Sequence, residues 1–256
     1  MRVFLYDRSF EGMLTCVFEA YSLKRFPDQL FAEDAVLPMF VDDTVRIGTE
    51  DEKSGRVWKG LEKLLSSTAL SMLTAVWLSE LPDVDNMLFR YICKTFNARK
   101  SIETNFTDPD VLALTQIFKK VRYERLRLMQ FIRFQKTIDG TYFAAIEPQF
   151  NCLPLAIPHF QDRFADQPWL IYDTKRKYGY YYDLNTVELV TFENPQTAHL
   201  VTGKLQESLM DKDEKLFQEL WKTYFKAVAI KERRNPKKQR QDLPVRYWKY
   251  LTEKQP

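Results

Sequence analysis

An α+β fold is predicted by three features of this 256-residue chain. Apolar residues recur every three to four positions in separate segments, a central stretch alternates with a period of two, and a basic, aromatic segment closes the chain. Together they predict an N-terminal α/β unit with further helices, a central antiparallel sheet packed by helices, and a basic C-terminal tail. With 45% apolar and 14% aromatic residues, the chain can bury a substantial core. Only 7 Gly and no low-complexity run argue against flexible linkers.

Residues 2–6 read as a strand. Phe10, Met13, Leu14, Val17, Phe18 and Tyr21 then mark one face of a helix behind a Ser9 cap. A second strand is predicted over 39–47. Thr49-x-x-Glu52 follows as a capping box for a helix whose stripe is Val57, Leu61, Leu64 and Leu65. Helices over 68–80 and 84–98 flank Pro82, which sets the expected division into a 1–82 α/β subdomain and an 83–256 domain. Asp108-Pro109 caps and opens a long helix with Leu114, Ile117, Val121 and Leu128 on one side. Its opposite side carries Lys119, Lys120, Arg122 and Arg127, either a solvated face or a second cationic surface.

From Phe131 the period becomes two, and Asp139-Gly140 turns the chain into Tyr142–Glu147, the second arm of a hairpin. A short helix over 155–164 leads to an antiparallel meander of 169–173, 178–182 and 186–190. Beyond Asn194-Pro195, an amphipathic helix carrying Leu216, Phe217, Leu220, Trp221, Tyr224, Phe225 and Val228 is predicted to pack on that sheet and to anchor the basic tail.

Charge is unevenly distributed. From Trp221 to Pro256 there are 11 Lys/Arg against 3 Asp/Glu, a net +8, which leaves −5 for residues 1–220 of a chain whose net charge is +3. Arginines that grip phosphate bidentately, beside rings that stack on bases, are a recurring solution to nucleic-acid binding. The segment therefore reads in two ways. It is either a solvated extension docked by Tyr247, Trp248 and Leu251, or a polyanion site in which Arg233, Arg234, Lys237, Lys238, Arg240 and Arg246 meet phosphates and Tyr247 or Trp248 stacks. The Trp169–Tyr182 block, with Asp173, Lys175, Arg176, Lys177 and four tyrosines, reads likewise as a strand-binding sheet face or as core.

No catalytic constellation is visible. The chain has no phosphate-binding glycine loop, nucleophile elbow or metal-ligand spacing, and no cofactor is expected. Of the two histidines, His159, three residues before Asp162, is the better acid/base candidate, and otherwise a helix-start residue. His199 has less context. Cys16, Cys93 and Cys152 are too far apart for a zinc knuckle and read as reduced thiols. The N-terminus turns charged at Asp7 and Arg8, and no apolar run approaches a membrane span, so a soluble cytoplasmic chain without a signal peptide is expected.

Phe131-Ile-Arg-Phe134, Pro158-His-Phe-x-x-Arg-Phe164, Trp169-Leu-Ile-x-Asp173, Leu220-Trp-Lys-x-Tyr-Phe225, Arg233-x-Asn-Pro236 and Pro244-x-Arg-Tyr-Trp248 occur in that order. In this the chain resembles a bacterial family described as DNA-metabolism proteins with a domain of unknown function. The resemblance implies a place beside a radical S-adenosylmethionine protein, and some relatives carry a fused uracil-DNA-glycosylase-like domain. It implies a DNA-repair accessory protein that binds DNA and leaves radical chemistry and base excision to partners. It transfers no catalytic residues. Two alternatives stay open: a protein–protein adaptor for that partner with Trp248 as anchor, and a nucleic-acid-processing enzyme using His159 near Asp162 and Arg163.

Overall fold

The computed structural model describes residues 1–192, 200, 202–233 and 235–255, and the chain divides into two units, Met1–Arg122 and Tyr123–Pro256. The class is α+β as expected.

In the first unit, β1 (Arg2–Tyr6) is the middle strand of a parallel sheet, flanked by β2 (Gln29–Ala32) and β3 (Asp43–Arg46). Val3, Phe4, Leu5 and Tyr6 are all buried, as a strand covered on both faces requires. β2 was not anticipated, because four residues are too few to show a period. Helix α1 (Phe10–Ser22) starts at Ser9, whose hydroxyl accepts from the Gly12 amide at 2.8 Å. Helix α2 (Asp51–Glu62) does not use the predicted capping box. Glu50 stands at its N-cap without a side-chain bond to the helix amides, and the Thr49 hydroxyl instead donates to Asp7 at 2.8 Å. Helices α3 (Ser67–Trp77) and α4 (Val84–Ala98) lie on either side of Pro82.

Helix α5 (Pro109–Phe131) opens as expected, with Asp108 accepting from the Asp110 amide at 2.9 Å. It runs to Phe131, so the first hairpin arm shrinks to β4 (Gln135–Lys136). Gly140, at φ +87°, makes the turn into β5 (Tyr142–Ile146), a conformation that costs glycine little. The meander is present as β6 (Trp169–Asp173), β7 (Tyr178–Tyr182) and β8 (Val187–Val190), each antiparallel to its neighbour.

The five strands form one sheet in the order β4-β5-β6-β7-β8, but it is mixed, since β5 pairs with β6 in parallel. Helix α6 (Leu153–Arg163) supplies the crossover that a parallel pair needs. It buries Phe160 against Trp169, with ring centroids 6.4 Å apart.

Helix α7 (Glu214–Ala227) forms where predicted but does not bury its stripe on the sheet. Leu216, Phe217, Leu220, Tyr224 and Val228 are 53–62% exposed. The Asn194-Pro195 turn and His199 lie outside the described residues. Within the described residues no helix is long and apolar enough to cross a membrane.

Candidate nucleic-acid interface

The C-terminal segment is ordered by local chemistry first. Asn235, in an extended conformation, accepts the Lys238 amide at 2.9 Å, and Pro236 opens the short helix α8 (Pro236–Asp242). The Arg-x-Asn-Pro element is thus a cap followed by a first-turn proline, which lacks only a donor the helix start cannot use. Pro244 then ends the helix by holding Leu243 out of the helical region. Two 3-10 turns follow, Val245–Tyr250 and Thr252–Lys254.

Beyond Leu243 the segment docks by alternate groups, with Val245 and Lys249 left exposed. Leu243, Tyr247 and Leu251, spaced four apart, are buried together with Phe131 and Trp248 packed against them. The Trp248 indole donates to the Leu243 carbonyl at 3.1 Å, and the Lys254 ammonium lies 4.8 Å from its ring centroid. Arg246 reaches back to Glu124, whose side chain is 2% exposed, and donates to it at 2.5 Å. The other Glu124 oxygen accepts the Gln149 amide at 2.7 Å. Burial and the Glu124 charge raise the Tyr247 phenol well above its ordinary value. Lys249 pairs with Glu147, which also accepts from Tyr250 at 3.0 Å. The Lys249 ammonium holds Glu147 below the usual carboxylate range. Arg133 closes the set, donating to Glu253 at 2.7 Å while its guanidinium lies 5.2 Å from the Trp221 ring centroid. Burial would raise Glu253, but its bonds from Arg133 and Trp221 bring it below the usual range.

The stretch before Leu243 faces outward. Arg233, Lys237, Lys238 and Arg240 are exposed. Lys238 pairs with Asp242 at 2.8 Å, and both side chains are more than half exposed, so that pair exchanges readily with other partners. Among the described residues, Arg233, Lys237 and Arg240 have no ion pair. Arg234 lies outside the described residues. Between the end of α7 and α8 lies a cleft of about 650 Å³, lined by the cations Arg233, Lys238 and Lys254, by Phe225, Val228 and Ile230, and by one carboxylate, Asp242, the partner of Lys238. Lys254 sits 5.8 Å from the Phe225 ring centroid. Cations over an apolar, aromatic floor are the components that single-strand binding uses, charge for phosphate and a π-face for a base.

Six of the predicted residues therefore divide between two roles. Arg233, Lys237, Lys238 and Arg240 stand together on the outer face, whereas the Arg246 guanidinium and the Tyr247 ring are engaged inside. Trp248 is half-buried and held at both its indole N–H and its ring face. Neither Lys254 nor Phe225 is among the site residues expected from the sequence. Phe225 sits in the apolar run of α7, and the spacing alone does not show that it turns away from that stripe toward Lys254.

The remaining candidates lie elsewhere. His159 is half-buried on α6, 5.5 Å from the Phe160 ring, and makes no hydrogen bond to Asp162, which is exposed. In the Trp169–Tyr182 block, Tyr172 and Tyr182 are core residues. Asp173 is fully buried, and its carboxylate holds the β6–β7 turn by accepting from the Lys175 and Arg176 amides and from the Arg176 guanidinium at 2.9–3.0 Å. Burial raises the Asp173 carboxyl despite the Arg176 charge. On α5, Lys119, Lys120 and Arg122 are exposed, and Arg127 donates to the Gln241 carbonyl at 3.2 Å. The three cysteines are free and buried, and burial pushes the Cys93 and Cys152 thiols up to about 12. Among the described residues no group of three or more His, Cys, Asp or Glu could hold a metal ion.

A family model described as a domain of unknown function, DUF4130, matches residues 82–253. No curated protein matches the chain. Among solved structures, a pGpG-specific phosphodiesterase, PggH, from Vibrio cholerae is similar over 90% of this chain and 100% of its own, with 10% identity and a TM-score of 0.32, a likeness that carries no functional inference.

Proposed function

The chain belongs to the DUF4130 family, a domain of unknown function, and from that premise we propose that it binds nucleic acid through the outward half of its C-terminal segment. The observation that carries the reading is the cleft of about 650 Å³ at the end of α7, where Arg233, Lys238 and Lys254 share the lining with Phe225, Val228 and Ile230, against a single carboxylate, Asp242. Lys237 and Arg240 extend the cationic surface along α8. Guanidinium and ammonium groups without buried acidic partners are free to exchange their counterions for phosphates, and the released counterions drive association.

The resemblance to DNA-metabolism proteins supplies the biological setting. In it the chain is a DNA-repair accessory protein that holds DNA for a radical S-adenosylmethionine or glycosylase-like partner. The adaptor alternative, with Trp248 as anchor, gains no support from the ring's position, because Leu243 and Lys254 already occupy its polar edge and one face. The enzyme alternative has no observation behind it, since His159 stands without a hydrogen-bonded partner among the described residues.

The test is fluorescence-anisotropy binding to labelled single-stranded and duplex oligonucleotides across a salt series. If four phosphates are neutralised, the affinity should fall with a log–log slope of about −3 on single strands and about −3.6 on duplex. A slope near zero, or no binding at about 50 mM salt, would remove the proposal.

A further inference from the structure

A second cavity adjoins the cationic cleft. Its volume is about 550 Å³, and four rings line it: Phe134 just before β4, Tyr142 on β5, and Phe217 and Trp221 one turn apart on α7. Both cavities are walled by α7 and by the Thr252–Lys254 turn. Trp221 and Thr252 line this one, whereas Phe225, one turn further along α7, and Lys254 line the cleft. Four residues of helix advance about 6 Å, so the two cavities are neighbours.

Trp221 is engaged. Its N–H donates to Glu253 at 2.9 Å, and the Arg133 guanidinium lies 5.2 Å from its ring centroid. Phe217 and Tyr142 are not, since among the described residues neither has another aromatic ring packed against it, and Phe217 is 62% exposed. Part of the polar lining is also unused. Glu214, 7% exposed, accepts the Lys136 amide at 3.0 Å and the Gln218 amide group at 2.8 Å, which leaves the carbonyl oxygen as the free end of Gln218. Neither that oxygen nor the hydroxyls of Tyr142 and Thr252 has a hydrogen-bond partner among the described residues.

We propose that this cavity takes one unstacked base of the strand whose phosphates lie on the adjoining cleft, a contact that single strands can make and duplex cannot. The proposal rests on the nucleic-acid reading above and adds the state of the strand. The lining selects a base over other occupants. An apolar side chain would cover the rings but would leave the Gln218 oxygen and both hydroxyls dry and unpaired, which is costly. A phosphate would meet the Glu214 carboxylate and cations that already have acids of their own, because Arg133 is bonded to Glu253 at 2.7 Å and Lys136 stands 3.5 Å from Asp211. A base offers a flat π-face to Phe217 and Tyr142, and along its edge the donors and acceptors that two hydroxyls and an amide oxygen can answer. In a duplex that face is stacked and that edge is paired. A duplex therefore reaches the cleft with its phosphates and leaves the ring-lined cavity unfilled.

The experiment measures, by fluorescence anisotropy on the full-length protein, binding to three labelled oligonucleotides of one length. They are a single strand, an abasic strand with the same phosphates, and a duplex. One stacked base corresponds to a change in affinity of about fivefold to a hundredfold. The unaltered chain should bind the abasic strand at least about fivefold more weakly than the base-bearing one, with the same salt slope. Phe217→Ala, at an exposed position, should remove that margin and leave binding to the abasic strand and the duplex as it was. Leu220→Ala, 55% exposed and lining neither cavity, should bind all three like the unaltered chain. Equal affinity of the unaltered chain for the base-bearing and abasic strands overturns the proposal without recourse to any variant. So does a Phe217→Ala chain that weakens on all three ligands alike, or a Leu220→Ala chain that loses as much on the single strand. In each of those outcomes salt-dependent binding persists and the phosphate site stands. No binding to any of the three at about 50 mM salt removes the phosphate site and the base cavity together.

Discussion

The two halves of the basic C-terminal segment carry similar residues in different surroundings. Among the described residues from Arg233 to Arg240, Arg233, Lys237, Lys238 and Arg240 stand in solvent, and Lys238 pairs with Asp242, an exposed group one helical turn away. From Leu243 onward, Arg246 and Lys249 are answered by Glu124 and Glu147, more than a hundred positions away in the chain. Local charge counting treats both halves alike, because the carboxylates that neutralise the second half belong to α5 and to the end of β5. A basic run is open to outside anions only where the fold does not bring distant acids of its own to it.

That division can be broken by mutation, beginning with the largest effect. Arg246→Ala leaves Glu124, 2% exposed, with only the more distant Arg127 guanidinium at 3.7 Å and should cost up to about 3 kcal/mol in chemical denaturation. Arg240→Ala should cost less than about 0.5 kcal/mol. Equal costs would erase the distinction between the halves.

Next in size is Gly203→Ala. Its φ of +73° disfavours any side chain, and a Cβ there would stand 2.6 Å from two carbons of the Tyr250 ring. A loss of about 2 kcal/mol and a drop in melting temperature are expected, and a neutral result would mean that Tyr250 is not locked against the sheet.

Acid gives a smaller effect with a defined sign. Glu147 and Glu253 titrate below their ordinary value of 4.5 in the folded chain, so their pairing stabilises the fold above that value. The contribution is lost as pH falls through the lowered values. Melting temperature measured from about pH 6 to about pH 3 should fall in the acid limb, and Glu253→Gln should flatten part of that fall. A limb unchanged by that substitution would separate Glu253 from the docking of the segment. The smallest stability effect belongs to the exposed cations, whose joint replacement by Ala should leave the unfolding midpoint nearly unchanged.

Much of this was legible in the sequence because local spacing carries it. The stripe of α1, the Ser9 and Asp108 caps, the Asp139-Gly140 turn and the three-strand meander all come from residues close together in the chain. What was not legible depends on distant partners. The parallel pairing of β5 with β6 has no local signature, since either direction satisfies the same alternation. The orientation of α7 was misread for a related reason. Periodicity shows that a helix has two faces, but Glu214 and Trp221, bonded to Lys136 and Glu253, decide which face turns inward. In the candidate site, the four outward cations could be read from composition, whereas Lys254 over Phe225 required the fold.

The most direct test of the central claim is the affinity of the variant carrying Arg233→Ala, Lys237→Ala, Lys238→Ala and Arg240→Ala for a labelled single-stranded oligonucleotide, measured beside the unaltered chain at low salt. With unfolding midpoints matched, a loss of at least about tenfold and a salt slope shallower by about 3 are predicted. Unchanged affinity and slope in a folded variant would contradict the account and move the polyanion site away from the C-terminal segment.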